Sequence, residues 1–123
     1  MHDHRQTLGR SGEDAACAEL RRRGYTIVAR RYRTRAGEID IVARDGRTLV
    51  FVEVKTRAGS TFGSGLDAVT VRKQAQVRRM ATDYLWRAGL GEVPCRFEVA
   101  AVTLDAQRRP ARVEVVSDGF DRR

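Results

Sequence analysis

A chain of 123 residues, 41% hydrophobic and 33% charged, suffices for one domain with a single core. No stretch approaches the roughly 20 apolar residues of a membrane helix, and the polar start MHDHRQT lacks a signal peptide's apolar core, so the cytoplasm is the expected compartment. The formal charge of +8 points to a polyanion such as nucleic acid, although basic proteins of other kinds share that feature.

Ser11 reads as the N-cap of a first helix, with Glu13 and Asp14 in its first turn, Arg21 to Arg23 in its last and Gly24 as its stop. Glu13 shares the inward stripe of Ala16, Cys17 and Leu20, and a carboxylate there needs a partner unless it only faces the helix dipole from its edge. Tyr25 to Tyr32 follows as a strand. Glu38 to Ala43 and Thr48 to Lys55 form a hairpin around Asp45-Gly46, the strongest short turn signal. After a Gly/Ser-rich loop over 58–65, Thr70 caps a helix to about Ala88, with Val77, Met80, Ala81, Tyr84, Leu85 and Ala88 inward and Gly89 as its stop. Strands over Arg96 to Leu104 and Arg112 to Val116 complete the order α-β-β-β-α-β-β, a mixed β-sheet flanked by helices. Cys17 and Cys95 form no CxxC pair and are expected as free, partly buried thiols.

With Asp45 and Gly46 at the centre of the turn, counting sets Ala43 opposite Thr48, Asp40 opposite Phe51 and Glu38 opposite Glu53. Residues two apart share a face, so Glu38, Asp40, Glu53 and Lys55 project together, and Asp40 stands diagonal to Glu53 at roughly 7–8 Å. The other face, Ile39, Ile41, Val50, Val52 and Val54, is expected as core. Three clustered carboxylates repel. Either a hard divalent cation such as Mg²⁺ compensates them, or solvent and arginines screen them on an exposed face. Lys55 favours the cation, because metal and ammonium together neutralise charge developing on a phosphate. Of 24 basic residues only Lys55 and Lys73 are Lys, which marks both as candidates for places where a compact ammonium is needed and a planar guanidinium fails.

Asp40 followed by Glu53-Val54-Lys55 resembles the D…ExK pattern of the restriction-endonuclease-like superfamily. The whole run GEIDIVARDGRTLVFVEVKTR, Gly37 to Arg57, is similar to the YraN family of bacterial proteins, a relative of archaeal Holliday junction resolvases. The likeness extends to Gly9–Ala16, Thr61-Phe62-Gly63, Lys73-Gln74 and Arg96-Phe97. It implies a restriction-endonuclease-like three-layer α/β core, one nuclease domain over 1–123 with 1–7 and 118–123 as flexible ends. It also implies Asp40 and Glu53 as metal ligands helped by the Val54 carbonyl, Glu38 as a supporting or second-metal carboxylate, Lys55 as the catalytic lysine and Glu13 as an added helix carboxylate. The cofactor would be Mg²⁺ or Mn²⁺. Lys73 and Gln74 would meet phosphate or water, with Arg57 and Arg35 also in the nucleic-acid-binding set; for Lys73 and Gln74, helix packing and solvation is a comparably good reading. Three positions and one segment depart from the family pattern: Ile39 stands where proline is expected, Glu98 where Asp is, Arg31 where Asn is, and 117–120 only approximates the usual ending.

Other signals are weaker. His2 and His4 lie near a terminus, no Ser–His–Asp set exists, and Gly63-Ser64-Gly65 lacks the lysine of a phosphate loop. Trp86, Phe62 and Tyr84 are stacking candidates, although Tyr84 falls on an apolar stripe. Arginine clusters at 21–23, 30–35 and 78–79 suit backbone phosphates where they are not simply solvated. The expected function is a Mg²⁺- or Mn²⁺-dependent endonuclease hydrolysing DNA, branched or damaged forms included, with RNA an alternative partner, a homodimer allowed and no membrane involved. The competing reading is a non-catalytic nucleic-acid-binding module that keeps the fold, and a third is a protein-interaction domain.

Overall fold

The computed structural model describes residues 4–58 and 71–117, with side chains from residue 11 on. The elements are α1 (His4–Arg22), β1 (Thr26–Thr34), β2 (Gly37–Asp45), β3 (Thr48–Ala58), α2 (Val71–Ala88), β4 (Cys95–Leu104) and β5 (Pro110–Ser117). This is the expected order. The Thr61-Phe62-Gly63 motif, the Thr70 cap, His2 and positions 118–120 lie outside the described residues.

One mixed sheet runs β1-β2-β3-β4-β5, antiparallel except for the parallel pair β3–β4 that α2 connects. One apolar layer joins Ala16, Cys17 and Leu20 of α1 to Ile41, Val50, Val52, Ala100 and Val102; the other joins Val77, Met80 and Ala81 of α2 to Ile39, Val42, Phe51 and Val99. The result is a three-layer α/β arrangement with both faces of β3 covered. The face that carries Glu53 and Lys55 is therefore roofed by α2, rather than open to water.

Both predicted glycine stops hold. At Gly24, with φ 96, Gly24 N–H donates to Arg21 O and Tyr25 N–H to Leu20 O; Gly89 and Leu90 repeat the pattern on Trp86 and Leu85. The start of α1 differs from expectation. The helix is continuous from His4, so Ser11 is interior and its capping preference goes unused. Arg5, Gln6 and Leu8 are good helix formers, and residues 4–7 continue the helix where a flexible end was expected. Gly12, also interior, lies so close to Thr56 of β3 that a Cβ would collide with Thr56 Oγ1. That approach seats the middle of α1 on the strand that carries Glu53.

The hairpin register also differs. Asp45 pairs with Thr48, Val42 with Phe51 and Ile41 with Val52, so Gly46-Arg47 forms the turn, with Gly46 at φ 61. Asp45 is drawn out of the turn by Arg96, whose Nη2 donates to Asp45 Oδ2 at 2.7 Å. Gly first with positive φ suits a two-residue hairpin turn. The slip is two residues, so the count continued past Ile41–Val52 brings Asp40 alongside Glu53 and moves Glu38 away from it.

Strict alternation breaks beside Asp40. In β1 the register shifts between Ile27 and Ala29, and Arg31 has φ 54. Ala29 and Tyr32 consequently both pack with the α2 layer, while Arg30 and Arg31 both reach Glu13 on α1. Opposite them Ile39 and Val42 join the α2 layer and Ile41 the α1 layer, so the continuous apolar face expected of β2 is split between layers. Left-handed backbone is what Asn tolerates better than most residues with a Cβ. That is a physical reason for the Asn expected where Arg31 stands.

Candidate active site

Asp40 and Glu53 meet where β2 and β3 part beyond their last ladder pair. Asp40 Oδ2 accepts the Val54 backbone N–H at 2.7 Å, which fixes its carboxyl against β3. Glu53 is buried, and its carboxyl lies near enough to that of Asp40 to feel its charge. Glu53 Oε1 faces Lys73 Nζ of α2 at 3.5 Å, while Oε2 is buried without a hydrogen-bond partner. Burial and the Asp40 charge push the Glu53 pKa up to about 7, with Lys73 and Lys55 pulling the other way. Burial also raises Asp40, against the Val54 N–H bond that favours its anion. Two acidic groups side by side in a poorly solvated place call for a proton or a cation between them.

Among the described residues no three His, Cys, Asp or Glu side chains form a group able to hold an ion unaided. Asp40 and Glu53 provide two hard oxygen donors, one of them with an orphaned atom. Such a set suits an ion that keeps several waters, as Mg²⁺ does. The donors present fit a hard divalent cation better than a soft one.

The other predicted residues divide. Lys55 is half-buried on the face of β3 that carries Glu53, and its charge acts on that carboxyl. Glu13 is buried as expected of the inward stripe, and its partners are arginines: Arg30 Nη2 at 2.8 Å on Oε1 and Arg31 Nε at 3.2 Å on Oε2. Its negative charge is nevertheless felt at Asp40. Glu38 pairs with Arg33 at 2.7 Å instead of facing Glu53. Gln74 is buried on the inner side of α2, as a packing role requires. Arg57 is half-buried on β3, and Arg35 is exposed in the β1–β2 turn.

The arginine clusters are less available than their number suggests. Arg22 and Arg23 both bind Glu19, Arg30 binds Glu13 and Asp14, and Arg78 lies over the Phe97 ring. Tyr84 packs edge-on against Tyr32 and Phe51, in the core as expected, whereas Trp86 is exposed. Cys17 and Cys95 are free; Cys17 is buried and Cys95 exposed, more so than expected.

Two features escaped the sequence reading. One is Lys73 on Glu53, for which the scarcity of lysine was the available signal. The other is the fully buried Glu98, which accepts from Tyr25 Oη, Arg96 Nε at 2.9 Å and Ser117 Oγ at 2.6 Å. This network ties the end of α1 to β4 and β5 and satisfies a carboxylate that alternation alone would place in the core.

The model described as "Uncharacterised protein family UPF0102" matches residues 12–102, which include both carboxylates and both lysines. A UPF0102 protein of Moorella thermoacetica is 48% identical over 116 residues, covering 94% of this chain and 97% of the relative. One from Geobacter sulfurreducens is 47% identical over 118 residues, 96% and 91% of the two chains. Another, from Prosthecochloris aestuarii, is 52% identical over 117 residues, 92% of each.

Proposed function

The chain belongs to the UPF0102 family, and we propose that it is a divalent-metal-dependent endonuclease that hydrolyses phosphodiester bonds of DNA. The observation that carries this reading is Glu53. It is buried beside Asp40, has one oxygen without a partner, and has the charges of the chain's two lysines acting on it. A carboxyl pair perturbed by burial and by specific charged partners is a candidate for a functional site. The D…ExK spacing of Asp40 and Glu53-Val54-Lys55 supports the same chemistry through its superfamily likeness. The formal charge of +8 favours a polyanionic substrate.

In this mechanism Asp40 and Glu53 would hold the cation, with the Val54 carbonyl as a further donor. A bound Mg²⁺ or Mn²⁺ would supply Lewis-acid chemistry to the scissile phosphate and acidify an attacking water. Lys55, two residues after Glu53 on the same strand face, orients that water and offsets charge gathering on the phosphate oxygens. The Val54 N–H keeps the Asp40 carboxyl pointed at the pair. Arg35 and Arg57 meet the nucleic-acid backbone, which gives attraction without sequence reading. Glu13, clamped by Arg30 and Arg31, shapes the field at Asp40 from the α1 side.

The test is cleavage of plasmid, flap and four-way-junction DNA, with an RNA duplex alongside, in Mg²⁺, Mn²⁺ or EDTA. Cleavage with either ion and none in EDTA is expected, and Asp40→Ala and Lys55→Ala should each lower the rate about 100-fold or more. Activity that survives both substitutions ends the mechanism. Binding without cleavage by the unmodified chain would replace the enzyme with a binding module.

A further inference from the structure

Lys73 reaches the carboxylate pair from a different element than the D…ExK residues. It lies in the first turn of α2, and its ammonium sits 3.5 Å from Glu53 Oε1 while Glu53 Oε2 goes unpartnered. Only 29% of its side chain is exposed, so it stays beneath the helix that covers this face of β3. The chain's other lysine, Lys55, is the second ammonium whose charge acts on Glu53. Twenty-two positions elsewhere in the chain carry Arg. An ammonium is a compact point charge, whereas a guanidinium is a broad planar fork. Among the described residues, the basic group ion-paired to Glu53 is thus of the kind closest in shape to a small cation.

We propose that Lys73 is a resident counter-cation of the Asp40–Glu53 pair, leaving Glu53 when a divalent ion enters, so that the site exchanges one ammonium for one metal ion. This rests on the reading of the pair as a cation seat. Two carboxylates with one ammonium carry a net charge of −1, whereas two carboxylates with a divalent ion are neutral and no longer require the lysine. A positive charge held at contact distance from a ligand oxygen repels an incoming cation and competes with it. Lys73 therefore sets the affinity of the site for metal and weakens it. It is a positioning residue in the metal-free chain, distinct from Lys55, whose role is at the phosphate.

Isothermal titration of the full chain with Mn²⁺ and Mg²⁺ at alkaline pH tests the exchange. Lys73→Met and Lys73→Gln should each bind Mn²⁺ about tenfold tighter than the unmodified chain, whereas Lys73→Arg, which keeps the competing charge, should stay close to it. Circular dichroism melts establish that each variant folds, and Lys73→Gln retains a polar end should the Met variant fail. Unchanged or weaker Mn²⁺ affinity in the charge-neutral variants overturns the exchange and leaves the cation seat standing. An unmodified chain that binds neither ion overturns both.

Discussion

Glu53 has a carboxyl where water solvates it poorly and a second carboxyl stands beside it. Its folded pKa of about 7 lies above the ordinary 4.5, so between those values the folded chain holds more protons than the unfolded one. Stability of the metal-free protein therefore falls as pH rises through that window. Melting temperatures in EDTA are expected to drop between about pH 5 and about pH 8, and Mn²⁺ should raise them more at the upper end, where no proton competes for the same oxygens. A metal-free melting temperature that climbs across this range contradicts the assignment. At this scale much was legible. The inward stripe of α1 exposed Glu13 as a buried carboxylate in need of a partner, and two lysines among many arginines marked Lys55 and Lys73. The identity of Glu13's partners was not legible. Arg30 and Arg31 reach the same side only because Arg31 takes φ 54, and no binary pattern of polar and apolar residues encodes a left-handed residue inside a strand.

Between elements, the contact that seats α1 on β3, on the face opposite Glu53, is Gly12 against Thr56. Alanine in a helix interior ordinarily gains about 1 kcal/mol over glycine. Here the added methyl has no room, and Gly12→Ala is expected to cost about 1–3 kcal/mol in urea unfolding through overpacking. Thr56→Ala in the same chain removes the Oγ1 that the methyl meets and should recover part of that loss. A Gly12→Ala variant as stable as the parent would show that α1 is not held at this distance. The hairpin teaches a related lesson. Asp-Gly located the turn to within one residue, and that one-residue error moved the pairing by two. An even slip exchanges no faces, so the clustering of Asp40, Glu53 and Lys55 survived it, although Glu38 was displaced onto Arg33. What displaced the turn was Arg96 pulling on Asp45 from β4, a contact between residues 51 positions apart that local turn chemistry does not contain.

Over the whole molecule, element order and layering followed from period and glycine stops, because the apolar stripes of α1 and α2 must each cover one face of the sheet. The family resemblance read from the hairpin is borne out by relatives aligned along nearly the full chain. The fate of the acidic face was harder to read. A hairpin alternating Glu, Asp and Lys looks solvated until α2 is placed over it, and its burial turns an ordinary charged face into a perturbed carboxyl pair. The arginines are less available to a partner than their number suggests, since Arg22, Arg23, Arg30, Arg31 and Arg33 are engaged by the chain's own carboxylates. No described helix is long and apolar enough to cross a membrane. The central claim is that Asp40 and Glu53 seat a divalent ion, and its most direct test is anomalous diffraction from crystals of the full chain soaked in Mn²⁺. A manganese peak bridging the Asp40 and Glu53 carboxyls, with Lys73 moved off Glu53, is the predicted result. Crystals in which Lys73 stays on Glu53 and the manganese lies elsewhere would contradict it.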